Sequence, residues 1–156
     1  MPTAADRRGG SSRAGSEHQG DTRARRQLVV ADASAIVTLL IDPGEGGEAI
    51  AAHLRDAAIL APTLLPFEVA NVLRRRRNAG QLSGAEAALA HADLLDLPID
   101  LWPWEALATR AWELGSNLSS YDASYVALAE ETDATLLTRD GRIAAAPGIR
   151  CRIEVV

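Results

Sequence analysis

The sequence lacks several features, and each absence removes a class of protein. It contains no lysine, so all 16 basic residues are arginines and any mechanism that requires a catalytic lysine is excluded. Its single cysteine, Cys151, cannot form an intramolecular disulfide or a cysteine-rich zinc site, and it fits a reducing compartment. No apolar run approaches the roughly 18–20 residues that cross a bilayer, and no glycine-rich nucleotide-binding loop occurs. We therefore expect a cytoplasmic protein with no membrane span.

Charge is distributed unevenly along the chain. Residues 1–26 carry six arginines and three acids, a net charge of +3, and residues 27–156 carry ten arginines and 18 acids, a net charge of −8. A body this acidic does not hold nucleic acid by broad electrostatic attraction alone. The first 26 residues have no hydrophobic period, so we expect a disordered polar and basic tail at 1–26 and one folded domain at 27–156.

Short apolar runs alternate with helical periods after the tail. The runs predict strands at 28–31, 58–61, 99–101, 135–138 and 149–156. The helical periods lie at 34–41, 45–57, 66–79, 83–95, 103–114 and 120–132. Strands that alternate with helices predict a single α/β domain, in which a mostly parallel central sheet is sandwiched by helices.

Four acidic residues fall where such a sheet places its binding site. Asp32 directly follows the first predicted strand, and Asp140 comes two residues after the fourth. Glu68 and Asp122 lie in the first turns of the helices predicted at 66–79 and 120–132. Because ligands of these folds bind outside the carboxyl ends of the strands, we expect the four side chains to converge.

Taken singly, each acid has an ordinary structural explanation as a helix cap, a turn residue or a partner of the helix dipole. A cluster of four is different, because repulsion raises the pKa values of its members. Such a cluster persists mainly when a divalent cation neutralises it, and this number of oxygen ligands favours Mg²⁺ or Mn²⁺ over zinc. The residues leave open whether one ion or two bind.

Four segments contain these acids: VVADASA at 29–35, PFEVANVL at 66–73, SYDASYVALA at 120–129 and LTRDG at 137–141. Together they resemble the signature segments of PIN-domain ribonucleases, and more narrowly those of the VapC toxins of bacterial toxin–antitoxin pairs. The resemblance spans residues 28–156. It implies a metal-dependent endoribonuclease that acts on RNA, is inhibited by a small VapB-like antitoxin and forms a homodimer. It also implies a ligand and support set: Asp32, Glu68, Asp122 and Asp140 as metal ligands, with hydroxyl support from Ser34 and Thr138.

Some neighbouring residues are assigned weaker roles. Glu68, Asn71 and Arg75 share one helix face at i, i+3 and i+7, where Asn71 can orient Glu68 and Arg75 can reach a substrate phosphate. A solvated helix end explains the arginine run at 74–77 equally well. The aromatic residues are interpreted structurally. Trp102, Trp104 and Trp112 are assigned to core or interface packing, and Phe67 and Tyr121 to the walls of the site.

Two alternatives remain. An aspartate-based phosphotransfer domain also places aspartates at strand ends, but it needs a lysine near the phosphorylated aspartate. Its dehalogenase-like form also needs Asp-x-Asp, where this chain has Ser34 at the third position. The second alternative is a non-catalytic PIN-like module that binds RNA or protein. A metal-binding measurement together with an RNA-cleavage assay separates these alternatives.

Overall fold

The structure is a computed structural model that describes residues 26–156. The predicted tail at 1–26 therefore lies outside the described residues, apart from its last residue. Five strands form one sheet: β1 Leu28–Ala31, β2 Ala58–Pro62, β3 Ile99–Trp102, β4 Thr135–Thr138 and β5 Ile153–Val155. Their order is β3-β2-β1-β4-β5, and every neighbouring pair is parallel.

Seven α-helices surround this sheet in the described range: α1 Ala33–Ile41, α2 Glu45–Leu54, α3 Leu65–Asn78, α4 Gly84–Asp96, α5 Trp104–Glu113, α6 Ser120–Thr132 and α7 Gly141–Ala145. Consecutive residues of a strand point to opposite faces, and β4 is buried along its whole length. Helices therefore cover both faces of the sheet, which explains why β1, β2 and β4 are mostly buried, whereas the edge strands β3 and β5 are partly exposed. The predicted fold class is confirmed. None of the helices in residues 26–156 is both long and apolar enough to cross a membrane.

The structure differs from the predicted elements mainly where the elements end. Helix α2 stops at Leu54 instead of residue 57, because the chain turns there to enter β2. The last strand covers only Ile153–Val155 instead of 149–156, since Gly148 adopts a left-handed φ of 85° and the chain stays irregular after it. Helix α7 was not predicted. Its five residues are too few to show a hydrophobic period.

The sheet has a topological switch point between β1 and β4. From β1 the chain continues through β2 to β3 on one side, whereas β4 and β5 lie on the other side. The crevice at the carboxyl ends of β1 and β4 is where a fold of this type binds its ligands. Asp32 leaves β1 at this point and Asp140 follows β4, so the topology brings these two residues to one edge.

Candidate active site

Asp32 is held rigidly at the end of β1. It is the N-cap residue of α1, and its Oδ1 accepts hydrogen bonds from Ala35 N at 2.9 Å and from Ser34 Oγ at 2.6 Å. Its Oδ2 accepts a short hydrogen bond from Thr138 Oγ1. The residue is only 6% exposed. Three donors therefore fix both carboxylate oxygens in one orientation.

The two hydroxyls beside Asp32 also join β4 to α1. Ser34 Oγ accepts from Arg139 N at 2.9 Å, and Thr138 Oγ1 accepts from Asp140 N at 2.9 Å. Both oxygens thus donate to Asp32 and accept from the backbone that follows β4. The structure places Ser34 and Thr138 directly on Asp32, as hydrogen-bond donors.

Glu68 is oriented by a residue that the sequence analysis did not single out. It lies half-buried in the first turn of α3, and its Oε2 accepts a 2.6 Å hydrogen bond from the hydroxyl of Tyr125. Within residues 26–156 this bond comes from Tyr125 and not from Asn71, which is exposed. Burial raises the pKa of Tyr125, and the charge of Glu68 adds to the shift, so the phenol remains a donor. The spacing of Asp122 and Tyr125, three residues apart on α6, was the available signal.

Asp122 is positioned by the cap of its own helix. Ser119 is the N-cap residue of α6; its Oγ accepts from Asp122 N at 3.1 Å and donates to Asp122 Oδ2 at 2.8 Å. The carboxylate is half-buried. The helix start predicted at 120 is correct, and the cap that orients Asp122 is the residue before it.

Asp32, Glu68 and Asp122 form one electrostatic cluster. Burial is the largest cause that raises the pKa of Asp32; its hydrogen bonds oppose this shift, and the charge of Asp122 adds to it. Burial likewise raises the pKa of Glu68, Tyr125 opposes this, and the charges of Asp122 and Asp32 add to it. No arginine in the described part of the chain forms a salt bridge with any of the three.

Asp140 stands apart from this cluster. Its carboxylate accepts from the Nε and Nη2 atoms of Arg142, at 2.9 and 2.6 Å, and from Arg142 N at 3.0 Å. These hydrogen bonds hold the pKa of Asp140 below its usual value. Among residues 26–156, no three His, Cys, Asp or Glu side chains are close enough together to form a metal-ligand group. Asp32, Glu68 and Asp122 thus interact through their charges without lying as close together as a formed ligand group, and Asp140 is paired with Arg142.

Arg75 lies on α3 beyond Glu68, and its side chain is exposed. Seven residues of α-helix separate the two, a rise of about 10 Å. Arg75 is therefore too far along the helix to touch the acids themselves.

The donor set of the cluster fits a hard divalent cation. The side chains are carboxylates with nearby hydroxyls, and no thiol or imidazole is among them, so they suit Mg²⁺ or Mn²⁺. The raised pKa values of Asp32 and Glu68 show that the protein's own groups do not fully compensate their charges. A bound cation stabilises the ionised form of both carboxylates.

Comparisons with known proteins agree with this arrangement. The PIN domain family model matches residues 29–149. The chain is 40% identical over 129 residues to ribonuclease VapC1 of Mycobacterium tuberculosis, covering 81% of this chain and 96% of that protein. The chain therefore belongs to the PIN-domain family, and within it to the VapC ribonucleases.

Two solved structures share the fold. The crystal structure of PAE2754 from Pyrobaculum aerophilum has a TM-score of 0.59 and 26% identity, covering 83% of this chain and 84% of that one. The structure of VapBC2 from Rickettsia felis, solved with a DNA fragment from its promoter, has a TM-score of 0.60 and 12% identity. It covers 83% of this chain and 98% of the other. At that identity the second likeness shows the fold alone.

Proposed function

We propose that this chain is a metal-dependent endoribonuclease that hydrolyses RNA phosphodiester bonds, and that it is the toxin of a VapBC-type toxin–antitoxin pair. The observation that carries the proposal is the cluster of Asp32, Glu68 and Asp122 at the switch point of the sheet. These carboxylates are buried or half-buried, the charge of Asp122 helps to raise the pKa values of Asp32 and Glu68, and none of the three has an arginine partner in the described chain. Membership of the VapC ribonucleases gives the activity.

The three clustered acids hold Mg²⁺ or Mn²⁺ in this proposal, and Asp140 completes the set when Arg142 releases it. When bound, such an ion lowers the pKa of water and neutralises charge on the scissile phosphate. The protein contributes orientation. Each clustered carboxylate has its own donor, and such outer contacts fix ligands in productive geometry: Ser34 and Thr138 on Asp32, Tyr125 on Glu68 and Ser119 on Asp122.

Two arginines serve the substrate. Arg142 is exposed and, within residues 26–156, its guanidinium pairs with Asp140 alone, so it can exchange that carboxylate for an RNA phosphate. Arg75 contacts a phosphate farther along the strand, on the far side of Glu68. Because Arg142 leaves Asp140 when a phosphate arrives, substrate binding and completion of the acidic site occur together.

The test is RNA cleavage by the purified chain with and without divalent cations. We expect cleavage in Mg²⁺ or Mn²⁺, its loss on addition of a chelator, and its return when excess metal is added. Isothermal titration with Mn²⁺ provides a second readout that needs no substrate. Metal or RNA binding without any cleavage supports the non-catalytic module instead, and cleavage that continues in chelator contradicts metal dependence.

The partner is a small antitoxin of the VapB kind. Residues 27–156 carry a net charge of −8, and the cluster concentrates three acids at one edge of the sheet. An arginine from the partner can form bidentate pairs with these carboxylates and occupy the place of the cation. A groove at the C-terminal end of α1, where Leu39, Leu40 and the 63% exposed Leu89 meet, offers an amphipathic helix a place to pack.

Co-expression with the small reading frame that neighbours the gene tests this partner. We expect growth arrest by this chain alone, relief of the arrest on co-expression, and co-purification of the two proteins. Co-purification should weaken when Asp32 is replaced by Asn. Arrest that persists beside the neighbouring protein contradicts the toxin–antitoxin assignment and leaves the nuclease assignment intact.

A cytoplasmic location and a homodimer complete the proposal, and both rest on family membership. The apolar segment 34–41 suggests, from sequence, more apolar surface than the core of one chain needs, and so a surface for a dimer. The structure gives the dimer less support than that. The segment's residues Ala35, Ile36, Val37 and Thr38 are buried within this chain's own core. Only the end of α1, from Leu39 onward, lies at the surface groove.

A further inference from the structure

An apolar pocket lies beside the acidic cluster and is not used by the mechanism above. Its volume is about 290 Å³, and its apolar lining includes Pro62, Leu64 and Leu107. The rings of Trp104 and Tyr121 also line it. The residues come from three places that meet at the carboxyl edge of the sheet: the end of β2, the start of α5 and the start of α6.

The aromatic side chains at this edge are strongly exposed. Trp104 is 43% exposed, Tyr121 is 63% exposed and the nearby Phe67 is 74% exposed, although the sequence has only six aromatic residues. Of the two positions predicted for Trp104, the core and an interface, the structure thus excludes the core. Exposed aromatic rings around an apolar pocket mark a surface that binds a ligand or a partner.

The pocket is continuous with the acidic cluster through two elements. In the first turn of α6, Tyr121 lines the pocket and the next residue, Asp122, belongs to the cluster. In the β2–α3 connection, Leu64 lines the pocket and its carbonyl accepts a hydrogen bond from Glu68 N at 3.2 Å. A ligand in the pocket therefore lies next to whatever the acids bind.

We infer that this pocket binds one unpaired nucleobase of the RNA substrate, stacked against Trp104 and Tyr121 beside the phosphate at the acids. The inference rests on the proposed function and specifies how that site holds its substrate. Ligand pockets for drug-sized molecules start at about 300 Å³, so this one suits a single planar ring system. A stable protein partner needs about 800 Å² on each side, which a pocket of this size does not supply by itself.

The chemistry of the walls matches a neutral base and indicates little sequence selectivity. Among the described residues no charged side chain lines the pocket, and its polar groups are the hydroxyls of Thr63, Ser120 and Tyr121 and the indole N–H of Trp104. Stacking on aromatic rings tolerates every base, because each base has a π face. A domain of net charge −8 attracts RNA poorly. Stacking in the pocket supplies binding affinity that electrostatics does not.

Binding of RNA in the absence of cleavage tests the pocket. The full chain is titrated in chelator against a fluorescently labelled short single-stranded RNA, and anisotropy gives the Kd. Trp104→Ala should weaken binding by about 5- to 100-fold, the loss of one base stack. Trp104→Phe keeps a ring and should bind within about threefold of wild type. Trp112→Ala is the matched control, because Trp112 is 84% exposed near the other end of α5 and outside the pocket.

A second probe shows whether the base itself is recognised. On an RNA backbone of the same length without bases, wild type and Trp104→Ala should bind equally weakly. An unchanged Kd for Trp104→Ala, or a loss that persists on the abasic probe, overturns the assignment. Sedimentation tests the other possible occupant, a second copy of this chain. If Trp104→Ala converts a dimer to a monomer, the pocket is a contact between copies and the nucleobase assignment is wrong.

The outcome separates this inference from the proposed nuclease. If Trp104→Ala loses base-dependent binding but wild type cleaves no RNA in Mg²⁺, the nuclease proposal fails and the pocket stands. If wild type cleaves RNA and Trp104→Ala binds and cleaves as well as wild type, the pocket fails alone.

Discussion

Replacing Asp122 with Asn is expected to lower RNA cleavage by more than about 100-fold while the fold stays intact. Changes in the outer contacts of metal ligands typically cost about 10- to 100-fold, and removal of a ligand charge should exceed that. The side-chain oxygen of Asn can still accept the hydrogen bond from Ser119 that Asp122 accepts at 2.8 Å. The variant thus changes charge and not local geometry. Single-turnover cleavage of a labelled RNA measures the effect.

The same change should leave stability in chelator equal to wild type or higher. The charge of Asp122 helps to raise the pKa values of both Asp32 and Glu68, so its removal relieves repulsion in the metal-free protein. Loss of activity without loss of melting temperature is the signature of a metal ligand. Replacing a residue that only stabilises the fold would lower both the activity and the melting temperature.

Asp133→Asn provides a matched control for this prediction. Asp133 is exposed at the opposite end of α6, where it adopts a left-handed φ of 53° that Asn also tolerates. The two variants change the net charge equally. Full activity of Asp122→Asn, or an equal loss in both variants, would contradict the assignment of Asp122 to the site.

Sequence patterns predicted the architecture because burial on both faces leaves a clear signal. Strands such as β1 and β4 are continuously apolar, and the acids that follow them mark the edge of the sheet. Short pieces leave no such signal. Helix α7 and the true start of β5 depend on Asp140 as a cap and on the left-handed Gly148, which are single residues and not periods.

Apart from what the family resemblance implied, contacts within the site could be predicted from sequence only where they are local. Ser34 and Asp32 are two residues apart, so their hydrogen bond is a local capping contact. Thr138 reaches Asp32 across 106 residues, and this contact depends on the parallel register that places Ala31 opposite Leu137. Neither the strand order nor that register can be read from composition or periodicity.

The hydrogen-bond partners of two site carboxylates could not be predicted, because a sequence does not show which of several candidate partners each one contacts. Asn71 is predicted to orient Glu68, and in the structure the buried phenol of Tyr125 on α6 reaches Glu68 and donates a hydrogen bond to it. Asp140 is predicted as a metal ligand, and in this structure Arg142, two residues away, donates to its carboxylate. A neighbouring opposite charge takes precedence over a distant cluster of like charge.

Arg110→Ala should strongly destabilise the fold, although Arg110 lies outside the site. Arg110 donates to both carboxylate oxygens of Glu130, at 2.6 and 3.2 Å, and to the carbonyl of Gly148 at 2.7 Å. These bonds join α5, α6 and the segment that leads into β5. The side chain of Glu130 is only 10% exposed, so the variant leaves a nearly buried carboxylate with one hydrogen bond, from Arg150 N. We expect a loss of roughly 3 kcal/mol, or about 10 °C in melting temperature.

The loss should depend on pH in a defined direction. Burial acts to raise the pKa of Glu130, but the hydrogen bonds from Arg110 and Arg150 N outweigh it, and the pKa lies below its ordinary value of 4.5. A carboxylate with a lowered folded pKa contributes stability that is present above the unfolded pKa and lost as pH falls through the folded value. The difference in melting temperature between wild type and Arg110→Ala should therefore have its largest value at pH 7 and decrease as the pH falls below about 4.5. Arg152→Ala, which removes an exposed arginine nearby, should cost little at either pH. If the difference between Arg110→Ala and wild type is the same at pH 3 and pH 7, packing of the arginine side chain and not its ion pair holds the three elements together.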